Sequence, residues 1–548
     1  MSLSREGLQR ISELSTLGTQ LGKKPQCRLK HDEDFIVYCS GRPYDVAIVT
    51  WLKSCADEKD FHSGSRLHAD TVKRGSLQSN SFLGSTIVNL YAKCGAFGKA
   101  QQVLDELPRS HIVSWNSLIA GFSQHDRGRD ALECFERMLG EGLSPDPITF
   151  ACTLKACGSM GAMEKGRKLH ADIVRQGFLS TNIVLGNALV DMYAKCGMME
   201  KAQKVFWDLP SKNVISWTTL IAGYSQHNCG EAALICFELM QQEGLSPNAM
   251  TFACAFKACA SVGALVKGKH LHFEVVSKGL LGKDIVLGNA LMIMYIKCGY
   301  LMKAQQVFDE LPNRNVVSWT ALITGYCLHG HGEEALSCFD KMKKNGFSPN
   351  VMTFSCIIKA CGSIGAAEKG EEIFVEIARM GFWGSNTAVG NALVDMYAKC
   401  GELMKAREVF EALPVQDVIS WTSLIAGYCE QGYCEEAFDC FEGMRIGGFF
   451  PDAVTFACIL KACVSLGASD RGQSYFEIMS TRYGIAPTLE HHTCMITLFG
   501  RDGYFNNATK MIRRMQYFNS RVGWSTLIGA CQKWGNSKLG RLAFEHSV

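Results

Sequence analysis

Histidine, glutamate and cysteine are the residue types here that could support metal chemistry. A His-x-Glu triplet with a nearby Cys-x-x-Cys can hold zinc and move a proton from the bound water. The triplet His272-Phe273-Glu274 supplies the first half of that requirement. No Cys-x-x-Cys occurs among the 25 cysteines to supply the second. The triplet also has counterparts 102 residues apart, His170-Ala171-Asp172 and His68-Ala69-Asp70, so it is one copy of a repeated helical feature. Catalysis through zinc is therefore not expected, and no cofactor, metal site or small-molecule substrate is implied. The cysteines follow the same period. Seventeen of them fall into four registers: Cys55, Cys157, Cys259, Cys361 and Cys463; Cys94, Cys196, Cys298 and Cys400; Cys134, Cys236, Cys338 and Cys440; and Cys152, Cys254, Cys356 and Cys458. A thiol reused at one place in a repeated hairpin acts as a small buried hydrophobe, which implies a reducing compartment.

The elements that position these residues are repeats. Trp115, Trp217, Trp319 and Trp421 recur every 102 residues inside HIVSWNSLIAGF, NVISWTTLIAGY, NVVSWTALITGY and DVISWTSLIAGY. Each period divides into pieces of 35, 36 and 31 residues, for example 214–248, 249–284 and 285–315. Val214, Trp217, Leu220, Ile221 and Tyr224 draw one apolar stripe along a helix. A second stripe runs through Ala233, Leu234, Phe237 and Met240 after Gly230, and Gly244 and Pro247 then stop the helix. Every piece is a helical hairpin that cannot cover its own stripe. Stacking many of them predicts an all-α solenoid, a curved superhelix with one continuous thin core.

The phrases GNALVDMYAKCG at 186–197 and 390–401, TFACTLKACGSMGAMEKGRKLH at 149–170 and SWTTLIAGY followed by SPN at 246–248 carry a resemblance. They resemble the plant pentatricopeptide repeat family, in the PLS class whose repeats alternate between long, short and standard lengths. The resemblance covers roughly residues 45–548. Tetratricopeptide repeats keep one fixed period, so the 35/36/31 cycle argues against them. Repeats tile from long 45–80, short 81–111 and standard 112–146 through standard 418–452. A specialised long and short pair at 453–488 and 489–520 brings the total to fourteen. Residues 521–548, with VGWSTLIGACQKWGNSKLGRLAFEHSV at 522–548, resemble the start of the family's E-type extension motif and stop before it would be complete.

In that family, the fifth residue of the first helix and the last residue of a standard or short repeat together read one RNA base. The resemblance assigns this role to Asn116 with Asp146, Thr218 with Asn248, Thr320 with Asn350 and Thr422 with Asp452 in the standard repeats. In the short repeats it assigns Asn187 with Asn213, Asn289 with Asn315 and Asn391 with Asp417. The flanks repeat nearly verbatim while these positions vary within a small polar alphabet, which favours base reading over simple solvation. Long repeats carry Ala151, Ala253 and Ala457 at the fifth position and should not discriminate. Val113, Val184, Ile215, Val286, Val317 and Ile419 at second positions would clamp the bases, or else pack the helix starts. The family's pairing rules imply a target U-x-C-A-x-C-A-x-U-G, with x opposite each long repeat. Ser85 with His111 and Thr493 with Ser520 depart from the standard pairs and leave their bases unassigned.

Composition fits a solenoid without a membrane span, with 47% hydrophobic and 20% charged residues and no apolar run of ~20. A net charge of +3 confines any basic footprint to local features. Arg5, Arg10, Lys23, Lys24, Arg28 and Lys30 against Glu6 and Glu13 make residues 1–44 compatible with an organelle transit segment or a disordered leader. The resemblance implies a mitochondrial or chloroplast protein that binds single-stranded RNA. Its roles would be specificity in C-to-U editing, or in transcript processing or splicing, with a deaminase supplied by a partner in trans. The alternative is a tetratricopeptide-like protein-binding scaffold.

Overall fold

The computed structural model describes residues 42–75, 81–107, 111–383, 387–515 and 520–547. The leader at 1–41 and the junction at 516–519 lie outside the described residues. Among those described, regular structure is helical throughout, in antiparallel pairs such as Ile112–Gln124 with Gly128–Gly140 and Val351–Ile364 with Ala367–Arg379. The first helix begins at Arg42, three residues before the position read from the repeat, and the chain from 520 onward forms one more pair, Ser520–Lys533 and Ser537–Ser547. No described helix is long and apolar enough to cross a membrane.

The chain divides into two compact units, residues 1–220 and 221–548, and helix Val214–Gln226 spans the division. In the first unit, helices Ser81–Lys93, Ile112–Gln124, Pro147–Met160 and Ile183–Lys195 pack in succession, each being the first helix of its hairpin. In the second, the line runs from Ala249–Val262 and Ile285–Lys297 through Val418–Glu430 to Leu489–Arg501 and Ser520–Lys533. Both units therefore stack hairpins along their first helices, with the second helices laid against them.

The repeated phrases acquire physical reasons. In the short repeats the glycine of GNALVDMYAKCG makes room for a leucine of the following loop. A Cβ on Gly186 would run into Leu209, and one on Gly288 into Leu311. In the long repeats Gly161, Gly263, Gly365 and Gly467 end the first helix at φ 64° to 71°, the left-handed conformation that costs glycine least. Trp115 and Trp217 are fully buried, Trp319 nearly so, and Trp421 is half-buried.

The thiol registers divide. Cys55, Cys157, Cys259, Cys361 and Cys463 are core residues, and burial pushes Cys157 and Cys361 up to about 11 and Cys259 and Cys463 to about 12. These last four stay protonated at neutral pH. Cys94, Cys196, Cys298 and Cys400 are only half-buried, because each is the residue that leaves the first helix just before its terminal glycine. The expectation of uniform burial fails for that register, and also for Cys152, Cys254, Cys356 and Cys440, which are half-buried too. Every described cysteine is a free thiol.

Candidate nucleic-acid interface

Through Asp452, the last residue of each standard or short repeat is the N-cap of the next first helix. Asp146, Asn248, Asn350 and Asp452 accept the N–H of Thr149, Thr251, Thr353 and Thr455, and each threonine hydroxyl returns to the cap backbone. Asn213, Asn315 and Asp417 do the same with Ser216, Ser318 and Ser420. Asn and Asp rank highest at N-caps because a short side chain can reach an orphan backbone N–H. Helix capping by itself thus confines this position to a small polar alphabet, whether or not the residue also reads a base. The fifth residues are not a solvated face either: Asn116, Asn187, Thr218, Asn289, Asn391 and Thr422 are 6–9% exposed. Thr320 is half-buried.

Four of these pairs have visible geometry within one compact unit. Asn116 Nδ2 donates to Asp146 Oδ1 at 3.0 Å and Oδ2 at 3.2 Å, and Asn391 Nδ2 to Asp417 at 3.1 and 3.2 Å. Threonine at the fifth position is instead linked through the capping threonine. Thr320 Oγ1 lies 2.7 Å from Thr353 Oγ1, and Thr422 Oγ1 lies 2.7 Å from Thr455 Oγ1, whose hydroxyl donates to Asp452. Thr218 Oγ1 donates to its own helix at Val214 O. In the short repeats Asn187, Asn289 and Asn391 each hold a buried Oδ1 with no partner. A buried acceptor left unpaired costs about 1–3 kcal/mol, and the standard-repeat Asn116 avoids that cost because its Oδ1 accepts from Thr149.

Beside each polar notch but that of Asn391 stands a branched aliphatic side chain. Val113, Val184, Ile215, Val286, Val317 and Ile419 are 53–65% exposed, so they do not pack the helix starts. The long repeats continue the row with Ile148, Met250, Met352 and Val454, and Phe82 stands at the same place in the first short repeat. These five stand in repeats for which the resemblance assigns no base. Their signal was an apolar second residue in every first helix up to Val454 except the one holding Ala388.

The PPR repeat family matches at 110–159, 212–261, 314–363 and 416–465, and the PPR repeat at 187–214, 289–316, 352–382, 391–416 and 490–520. A putative pentatricopeptide repeat-containing protein of Arabidopsis thaliana is 34% identical over 94% of this chain and 73% of its own length. The chain belongs to the pentatricopeptide repeat family. A second Arabidopsis family member is 32% identical over 90% of this chain and 80% of its own length. A third, described as chloroplastic, is 33% identical over 92% of this chain, which spans only 58% of that relative. Among solved structures, pentatricopeptide repeat protein PPR10 in complex with an 18-nt psaJ RNA element superimposes with a TM-score of 0.52 at 16% identity, covering 91% of this chain and 78% of that one.

Within this pentatricopeptide repeat chain the histidines that suggested catalysis serve the hairpin junctions. His68, His170 and His272 each place Nδ1 2.9 Å from a tyrosine hydroxyl of the next repeat, Tyr91, Tyr193 and Tyr295. Glu274 is engaged with Lys278. Among the described residues no group of three His, Cys, Asp or Glu side chains could hold a metal ion. Burial holds all three histidines below the ordinary value of 6.5. Protonation therefore favours the unfolded chain. Stability should be intact above pH 6.5 and fall as pH drops from there toward the lower folded-state value. The fourth copy of this register is Phe374. His272→Phe should accordingly flatten the dependence of Tm on pH below 6.5, and an unchanged slope would show that the junction histidines are not its source.

Proposed function

We propose that this pentatricopeptide repeat chain is a sequence-specific single-stranded RNA-binding protein of a plant organelle, of the PLS class, with fourteen repeats over 45–520 and an E-type extension beginning at 521. It serves as the specificity factor in C-to-U editing or in transcript processing, and any deaminase comes from a partner in trans. One observation carries the reading. Apart from the repeat holding Ala388, the discriminating repeats set a buried or half-buried polar fifth residue and a capping Asn or Asp beside an exposed aliphatic side chain, which is a hydrogen-bonding edge next to an apolar face. A base offers the matching pair of surfaces. PPR10, which shares the fold, has been captured with RNA, and several relatives are described as chloroplastic, which supports the ligand class and the compartment.

The test is a titration with U-x-C-A-x-C-A-x-U-G RNA and a scrambled control. The matched RNA should bind more tightly, and its cytidines should survive incubation with zinc and the purified protein. Equal binding of both RNAs would instead favour a protein-binding scaffold of the tetratricopeptide kind.

A further inference from the structure

The long repeats lack a polar discriminating residue, yet their first helices keep one open face. In Val351–Ile364 only Met352, Lys359, Ser363 and Ile364 are exposed, and Cys356 is half-buried between Met352 and Lys359. Helix Ala249–Val262 repeats the pattern with Met250, Cys254, Lys257 and Ser261, and Pro147–Met160 with Ile148, Cys152, Lys155 and Ser159. Spacings of four, three and four residues put these side chains in line, so an apolar group and an ammonium share one stripe about 10 Å apart along the axis.

The charge on that stripe recurs through the long repeats. Lys155, Lys257 and Lys359 take part in none of the ion pairs found among the described residues. In the short repeats the stripe's lysine is neutralised, Lys93 by Asp57 of the preceding first helix at 2.8 Å, Lys195 by Asp191 at 2.7 Å and Lys399 by Asp395 at 2.8 Å, with Lys297 left over because Ile293 takes the aspartate's place. The standard repeats place Gln124, Gln226, Leu328 or Glu430 there. In a chain of net charge +3, each of these three long repeats thus leaves one unneutralised cation on its first helix.

We propose that the long repeats anchor the RNA backbone. The second-position aliphatic supports the unread nucleotide x, and Lys155, Lys257 and Lys359 bind its phosphate, so that the register is kept across a repeat that reads nothing. This rests on the RNA-binding reading above. An ammonium on a flexible stem suits a phosphate, which it can meet as a point charge without fixed geometry. Lys461 supplies an internal control, because the specialised repeat beginning at Ala453 has it paired with Glu490 at 2.6 Å.

The full chain is titrated with fluorescein-labelled U-x-C-A-x-C-A-x-U-G RNA by anisotropy over a range of salt. Changing the base at x should leave affinity unaltered, whereas methylphosphonate linkages at the second and third x should weaken wild-type binding several-fold. Lys257→Ala/Lys359→Ala should weaken matched RNA by a similar factor, lose sensitivity to those linkages, and lower the salt slope by about 1.4, at ~0.7 per phosphate contact on a single strand. On RNA lengthened by one nucleotide at its 3′ end to reach the repeat beginning at Ala453, Lys461→Ala should change the slope less than Lys257→Ala or Lys359→Ala alone. If the double variant keeps wild-type affinity and slope while matched RNA is still preferred over scrambled, the anchor is wrong and the base-reading stands. If wild type shows no such preference, the RNA reading fails and the anchor falls with it.

Discussion

Trp217→Ala should lower stability by about 3–5 kcal/mol, the range for deleting a fully buried large aromatic side chain. The indole lies at 0% exposure against Phe206, with ring centroids 4.7 Å apart and planes inclined by 68°, and against Trp207 at 5.8 Å and 86°. These edge-to-face contacts tie helix Val214–Gln226 to helix Met199–Asp208 of the preceding hairpin. A hairpin in a stacked array is stabilised by its neighbours, so the loss should concentrate in the hairpin 183–208 and fade along the chain. Hydrogen exchange resolved by residue is the measurement. Protection lost evenly from 42 to 547 would contradict nearest-neighbour stacking.

Packing of this kind was legible because the apolar period and the tryptophan register report directly on what must be buried. Trp217, Leu220 and Ile221 lie where the stripe placed them, and so do Phe237 and Met240. The polar positions were less legible because one residue type answers two demands. An Asn or Asp at the end of a repeat satisfies an orphan backbone N–H of the next helix, and the same side chain offers a hydrogen-bonding edge. Sequence alone does not separate these uses, and the structure shows the capping use at Asp146, Asn350 and Asp452. Burial of the fifth residues escaped notice for a related reason. Asn and Thr are ordinarily exposed, but here the neighbouring first helix closes over Asn116 and Thr422, and their polar atoms bond across that joint. Cys94 and its register illustrate the converse, since repetition of a thiol announces a constraint without saying which side of the helix end it occupies.

Thr422→Asn should turn the preference for the last nucleotide of U-x-C-A-x-C-A-x-U-G from G to U. Thr422 is paired with Asp452, and the substitution recreates the Asn–Asp pair already present at Asn391 with Asp417. At that pair the amide donates directly to the carboxylate at 3.1 Å, whereas Thr422 reaches Asp452 only through the Thr455 hydroxyl at 2.7 Å. Replacing the relay by a direct bond changes which donors and acceptors face outward, and a base edge reads that difference. The fold should accept the change, because Asn391 and Thr422 occupy equivalent places at similarly low exposure, 6% and 9%. A good hydrogen-bonded contact discriminates by about 1–3 kcal/mol in direct base readout, which corresponds to roughly ten- to a hundredfold in relative affinity. Wild type and variant are titrated against two RNAs that differ only at the final nucleotide. An unaltered preference, with the thermal transition unchanged, would mean that Asp452 serves as a helix cap alone and that the two-residue reading does not apply to this repeat.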